Sequence, residues 1–377
     1  MLITLNIYFC LLNMGYDRVE LIEGEARLES PRTVRVNGVA CEASSILVAT
    51  GSRPWLPDIP GLADSGPLDS TSAFELMNLP ESMIVLGGRY IALEIAQMFA
   101  RLGTKVTVLQ RSERILPTED ADLTDTLTGY LRDEGLRIET SVRIASVKRD
   151  GSRVVIRARV GDKDQEFAAE HLLCATGRRA NTKNLGLEEV GVRLSEQGDI
   201  LVDEHLQTSQ PGIFAAGDVI GEPAFVYTAA YEGRLAAANA LGSEPSKRDY
   251  RALPWVIFSE PQVAGVGLNE LEAARAGIEV DVARLDLKNV PRALAARDTR
   301  GFIKLLRRRG SDELIGARIL APEGGEQIME AALAIRHGIG VSDLASAFHP
   351  YLTQAEGIKL CAQTFGKDVA KLSCCSA

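Results

Sequence analysis

Two groups of residues in this chain have types and spacings suited to chemistry. The first is the cysteines: Cys10, Cys41, Cys174, Cys361, Cys374 and Cys375. The last two are neighbours. Adjacent Cα atoms lie about 3.8 Å apart, below the usual disulfide range of about 4.4–6.8 Å. Cys374 and Cys375 therefore favour staying as thiols, and thiolate is the soft ligand that suits a soft metal ion. A terminal segment with two of them can capture an ion and hand it inward. The plainer reading is two surface cysteines with no task. Cys174 sits in an apolar run and reads as buried and inert.

The second group is a glycine turn. Residues 83–86 are a continuous apolar run, as in a buried parallel strand. Gly87 and Gly88 make a tight turn. Ile91, Ile95 and Phe99 then recur at helical spacing, with Ala92 and Ala96 beside them, and Gly103 stands where a helix ends. Val106, Val108 and Leu109 form the next strand. Strand, glycine turn, helix and strand make a dinucleotide-binding unit, with pyrophosphate at the helix N-terminus. The G-x-G-x-x-G/A pattern is met at Gly87 and Ala92, but Arg89 replaces the middle glycine. An arginine there can reach a phosphate itself; an ordinary βαβ unit without ligand is the alternative. About 20 positions on, an acidic residue would bind the ribose hydroxyl of NAD. Here Gln110 is followed by Arg111 and Arg114. A neutral amide with two arginines suits a 2′-phosphate, so the expected nucleotide is NADPH. Two merely solvated arginines would be the bland account.

The elements around these groups follow from the rest of the chain. Its 377 residues allow two or three domains, and 46% hydrophobic with 25% charged residues is an ordinary globular balance. A net charge of −9 without a basic block excludes nucleic acid as an expected partner. Residues 1–14 are apolar but too short to span a bilayer, and lack the features of a signal peptide, so no membrane role is expected. Few cysteines in a long chain fit a reducing, cytoplasmic setting. Asn37-Gly38 predicts a hairpin between residues 33–36 and 39–41, and the segment closes on Ala49-Thr50-Gly51. Asp150-Gly151 and Gly161-Asp162 repeat the plan, closing on Ala175-Thr176-Gly177-Arg178. In the first copy, a glycine turn matching Gly87 would fall before Met1. Gly217-Asp218 could put a carboxylate beside a ligand hydroxyl, or be a turn aspartate. Residues 229–241 read as helix. From Pro254 on, the chain reads as a separate α+β module, followed by an exposed tail.

These residues together resemble the class I pyridine-nucleotide disulfide oxidoreductases, from about Tyr16 onward. The carriers are Ala49-Thr50-Gly51, the turn from Gly87 to Glu94, Ala175-Thr176-Gly177-Arg178, Ala216-Gly217-Asp218 and the C-terminal module. Within the family, Phe225-Val226-Tyr227, Val290-Pro291-Arg292, Pro350-Tyr351-Leu352-Thr353, Gln363-Thr364-Phe365 and Cys374-Cys375 look like the mercuric reductases. The resemblance implies an α/β fold: two Rossmann-like dinucleotide-binding domains, the FAD one incomplete, plus a C-terminal α+β dimerisation domain. It divides the chain into 1–79 (remnant of the FAD-binding domain), 80–179 (NADPH-binding), 180–249 (returning FAD-binding segment), 250–366 (dimerisation) and 367–377 (cysteine-bearing tail). It implies FAD and NADPH, reduction of Hg(II) or thiol-bound mercury to Hg(0), and a homodimer.

The FAD site would fall on Gly24, Thr50, Gly51, Gly217 and Asp218. The NADPH site would fall on Gly87, Gly88, Arg89, Tyr90, Ile91, Ala92, Glu94, Gln110, Arg111, Arg114 and Gly177. Cys374 and Cys375 would bind the metal, and Tyr227 and Tyr351 would line its inner site. His349 stands where disulfide-reducing relatives keep a general base, but their glutamate partner is replaced by Gln354, with Glu356 two residues on. The mercuric reductases usually have an apolar residue at the place of His349. The family also needs a C-x-x-x-x-C pair, and no two cysteines here are five apart. The chain therefore reads as a mercuric reductase without its first half-domain, with slow turnover or none. The alternatives are a dihydrolipoyl dehydrogenase-like disulfide reductase and a non-catalytic NADPH- or metal-binding remnant.

Overall fold

The computed structural model describes residues 19–242 and 244–371. Cys10, Cys374 and Cys375 lie outside the described residues. By contacts the chain divides into two compact units, one from Met1–Arg53 and Arg179–Arg248, the other from Pro54–Arg178 and Asp249–Ala377.

The larger unit is built on a four-stranded parallel sheet. Its order is His171–Cys174, Ser82–Leu86, Lys105–Leu109 and Arg137–Glu139. The expected apolar run is the central strand, with Met83, Ile84, Val85 and Leu86 essentially inaccessible. Helix Tyr90–Arg101 follows the turn and buries Ala92, Leu93, Ile95, Ala96 and Phe99. It ends at Leu102, and Gly103 takes a φ of 108° that a side chain would resist. Strands Val142–Asp150, Arg153–Val160 and Lys163–Ala169 form an antiparallel meander whose turns fall at the two expected Asp/Gly pairs.

Helix Ala121–Asp133 was not anticipated. Leu123, Leu127 and Leu131 lie on one face at four-residue spacing, all inaccessible, but the threonines and aspartates between them dilute the pattern.

The segment after Pro254 forms a five-stranded antiparallel sheet: Trp255–Ile257, Gln262–Gly267, Leu314–Ala321, Phe302–Arg308 and Val280–Asp286. Helices Gly324–His337 and Glu356–Gln363 contribute to the core on one face. Strand Leu314–Ala321 is buried along its whole length, so both sheet faces are covered. The period of two sorts the residues. Ile303, Leu305, Ala317 and Ile319 join the core containing those helices, while Phe302 and Leu320 join Val85, Leu93, Val106 and Leu127 of the nucleotide-binding segment. The module that reads as separate in sequence thus shares a core with residues 73–173.

The smaller unit holds the hairpin meander Ala26–Ser30, Thr33–Val36 and Val39–Glu42, turning at Asn37-Gly38 as expected. Strands Ile46–Val48 and Ile213–Ala215 pair in parallel. Helix Val226–Leu241 begins three residues earlier than its apolar run suggests, with Phe225 as an extended N-cap residue. Leu28, Val48, Ile200, Ile213, Ala215 and Val219 make its core.

Candidate cofactor and catalytic sites

The turn at residue 87 is built for close backbone approach. Gly87 has φ 114°, and a Cβ there would stand 2.3 Å from the carbonyl oxygen of Ala175. Its N–H donates to Leu109 O at 3.0 Å, tying the turn to the next strand. A Cβ on Gly88 would press on the Gln110 side chain at 3.2 Å. Arg89 is the extended N-cap residue and its side chain does not cap the helix. Its guanidinium lies 5.6 Å from the centre of the Tyr90 ring. The first-turn N–H groups of the helix, which have no intrahelical acceptor, suit a pyrophosphate.

Two of the expected nucleotide residues serve packing. Ala92 is wholly buried and gives the close helix–strand contact that the third motif position requires. Ile91 is partly buried against the same core. Glu94 accepts a hydrogen bond from Phe258 N–H at 2.8 Å. Burial raises its pKa, against the lowering effect of that bond.

At the end of the second strand, Gln110 is nearly buried and its Nε2 donates to Ser112 Oγ at 2.9 Å. Arg111 is exposed. Arg114 Nε donates to Asp125 Oδ1 at 3.1 Å in an exposed pair. Gly177 has φ 130° and open space where a Cβ would be. Beside it, Thr176 Oγ1 donates to Trp55 O at 2.9 Å. These residues fit a nucleotide: Gly87 and Gly88 let the turn close against Ala175 and Gln110, Gly177 leaves open space, and the arginines carry the charge.

Four of the five expected FAD residues of the smaller unit, Thr50, Gly51, Gly217 and Asp218, come together through a Ser52–Asp218 bond. Thr50 Oγ1 donates to Asn181 O at 2.8 Å, and Asn181 Nδ2 returns a bond to Thr50 O at 3.0 Å. Gly51 has φ 67° with nothing near its Cβ position. Ser52 Oγ donates to Asp218 Oδ2 at 2.7 Å. Gly217 N–H donates to Glu232 Oε2 at 2.7 Å, and Glu232 is buried. Ser52, Asn181 and Glu232 were missed, because isolated polar residues carry no spacing signal. Gly24 is exposed and lies against the Asn37 side chain, whose Nδ2 donates to Glu23 O at 2.6 Å.

Tyr227 lies in the first turn of helix Val226–Leu241, half-exposed, its ring stacked on Phe225 at 5.2 Å. Tyr351 is exposed. His349 does have a carboxylate partner, and it is Glu330: Nε2 lies 2.8 Å from Glu330 Oε1, and Nδ1 lies 3.2 Å from Ala347 O. Glu330 comes from helix Gly324–His337, so the pairing was invisible at the Gln354 and Glu356 positions. Oε1 of Gln354 and Oε2 of Glu356 are buried without a hydrogen-bond partner.

Cys174 and Cys361 are buried, and burial raises the thiol pKa of both, that of Cys361 to about 12. Neither is a nucleophile at neutral pH. The three described carboxylates close enough to share a cation, Asp120, Asp122 and Glu270, already surround the Lys304 ammonium at 3.0, 2.8 and 2.7 Å.

Comparison with known proteins bears on this geometry. Residues 10–233 match the family described as pyridine nucleotide-disulphide oxidoreductase, and residues 253–362 match its dimerisation domain. The chain belongs to the pyridine nucleotide-disulphide oxidoreductase family. It is 48% identical to a mercuric reductase of Streptomyces lividans over 89% of this chain and 70% of that protein. It is 44% identical to the mercuric reductase of Staphylococcus aureus over 96% of this chain and 66% of that protein. The chain thus spans about two thirds of the length of these relatives. Among solved structures, the HOCl-induced flavoprotein disulfide reductase RclA of Escherichia coli superposes with a TM-score of 0.86 at 29% identity, covering 95% of this chain and 82% of that one. LpdA of Mycobacterium tuberculosis gives 0.85 at 29%, covering 96% and 80%. This family member is therefore an oxidoreductase, and membership implies FAD and NADPH as its cofactors. Among the described residues, no helix is long and apolar enough to cross a membrane.

Proposed function

We propose that this chain takes part in reducing Hg(II) to Hg(0) with NADPH, as a cytoplasmic homodimer. The balance is two electrons: NADPH and Hg(II) give NADP⁺, a proton and Hg(0). The observation that carries the reading is the 48% identity to a mercuric reductase over 89% of the chain. FAD, when bound, supplies a relay between a two-electron hydride donor and a metal acceptor.

The chain's own residues do the rest. Gly87, Gly88 and the helix that follows bind the pyrophosphate. Arg111 and Arg114 face the 2′-phosphate, with Gln110 in place of a repelling carboxylate. Thr50, Gly51, Gly217 and Asp218 hold the flavin nucleotide. Cys374 and Cys375, outside the described residues, deliver the metal as a thiolate complex, and Tyr227 and Tyr351 orient it. The domain limits at 80, 180, 250 and 367 belong to the same reading. Because no two cysteines stand five apart, turnover by this chain alone is expected to be low.

A second reading is disulfide reduction, favoured by the His349–Glu330 pair at 2.8 Å. A histidine held by a carboxylate can accept a thiol proton. The two are separated by following NADPH oxidation with purified chain. Oxidation that requires Hg(II), with no response to lipoamide, supports the first. Oxidation driven by lipoamide and indifferent to mercury transfers the assignment to the second. A colourless protein without a flavin band and without either activity leaves only nucleotide or metal binding.

A further inference from the structure

The turn after the first strand and the loop 110–119 after the second would together grip the nucleotide. They are joined directly: Leu116 N–H donates to Gly88 O at 2.8 Å. Leu116 makes this bond with φ 45°, a left-handed conformation unusual for leucine, while buried with Ile115. Something must hold the loop in that shape.

The holding group is Arg318, from the middle strand of the C-terminal sheet. Glu119 N–H donates to Leu116 O at 2.9 Å, and the Glu119 carboxylate accepts from Arg318 Nε at 2.6 Å, both side chains being nearly inaccessible. Arg318 also donates to Val266 O at 3.1 Å, Gly267 O at 3.3 Å and Ala317 O at 2.9 Å, and reaches Glu272 at 3.4 Å. Its guanidinium lies 5.3 Å from the centre of the Trp255 ring. Trp255 stacks on Tyr90 at 6.2 Å, and Tyr90 opens the helix beyond the glycine turn. Gly265 makes the room, since a Cβ there would come within 2.4 Å of the Trp255 ring. The contacts close a ring: turn, Leu116, Glu119, Arg318, Trp255, Tyr90 and back to the turn. A planar guanidinium with several donors and a stacking face suits this place, and lysine does not.

We propose that Arg318 is a positioning residue for selecting the phosphorylated nucleotide, holding the loop of Gln110, Arg111 and Arg114 in register with the turn at Gly87. This rests on the NADPH reading above. It gives the C-terminal module, which touches Tyr90 through Trp255 and Glu94 through Phe258, a part in choosing the cofactor.

The test is titration calorimetry of the full chain with 2′,5′-ADP and with 5′-AMP, which differ in the 2′-phosphate. Wild type is expected to prefer 2′,5′-ADP by about tenfold or more, as charge-assisted phosphate contacts allow. The double variant Glu119→Leu/Arg318→Met removes both buried charges together, which proteins often tolerate. It should lose most of that preference and keep its affinity for 5′-AMP. Trp255→Leu leaves the ion pair and breaks the stack, so it provides an independent reading with the same expected direction. A wild type without preference sinks the NADPH reading and this inference with it. A wild-type preference that survives in the folded variants overturns the inference alone. Parallel loss of both ligands, tracking a fall in Tm, would make Arg318 merely structural and also overturn it.

Discussion

Ala49-Thr50-Gly51 and Ala175-Thr176-Gly177 are the same three residues in two settings. The first ends a strand that pairs only with Ile213–Ala215 in its described sheet. The second follows an edge strand of a four-stranded parallel sheet whose neighbouring strand is buried from Met83 to Leu86. Thr50 is exposed and exchanges bonds with Asn181. Thr176 is partly buried, bonded to Trp55 O and beside the Cys174 thiol at 3.3 Å. The ion pairs differ likewise. In the smaller unit, Arg27–Glu189, Arg35–Glu29 and Lys247–Glu204 lie at the surface. The larger unit has exposed pairs too, such as Arg157–Glu166 and Arg309–Glu279, but it adds Arg318–Glu119 and Lys304–Asp120, which are taken out of water. Equal local sequence therefore carries unequal energetic weight, set by what is packed behind it.

The largest expected effect is on the buried charges. Lys304→Met leaves buried Asp120 without its cation beside the partly exposed Asp122 and Glu270. Removing one partner of a buried ion pair costs about 3–5 kcal/mol, and the lower end is expected here because two of the three carboxylates reach water. Thermal unfolding should show the loss, and a divalent cation should recover part of it by replacing the ammonium. If Tm does not move, burial is not what separates the two units. The cluster also predicts a pH response. Burial pulls the Lys304 pKa down, but hydrogen bonds to Asp122, Glu270 and Asp120 outweigh it, so the folded value is raised. Its stabilisation is present in full below the unfolded lysine pKa and disappears as pH rises through the folded value. The alkaline limb of a Tm-against-pH curve should flatten in the variant.

A second contrast sets glycine against glycine. Gly87→Ala meets both a positive φ and a carbonyl at 2.3 Å, whereas Gly51→Ala meets a positive φ with open space. The first should cost about 3 kcal/mol or more and abolish 2′,5′-ADP binding, the second about 1 kcal/mol. Urea titration of both variants measures the difference, and equal losses would end the comparison.

The smallest effect concerns the threonines. Thr176→Val removes a partly buried hydrogen bond worth about 1 kcal/mol, while exposed Thr50→Val should fall within about 0.5 kcal/mol of wild type. Midpoints of the same titrations decide it.

Much of this was legible in the residues. The run 83–86, the turn at Gly87 and the alanines after it announce strand, turn and helix, because steric demands on glycine and helical periodicity act locally. Both Asp/Gly turns of the meander and the Asn37-Gly38 hairpin were equally readable. Helix Ala121–Asp133 was not, since polar residues between its leucines hide the face. Strand Val280–Asp286 was missed because it alternates weakly along the sheet edge.

Sequence by itself determined the nucleotide-binding unit, the repeat and the family, since these depend on spacing along the chain. Only the tertiary structure decided that His349 pairs with Glu330, that Lys304 fills an acidic cluster, and that Arg318 closes a ring around the turn. Each joins segments far apart in the chain, and such partners are chosen by which faces must share a core, a constraint that no local pattern encodes.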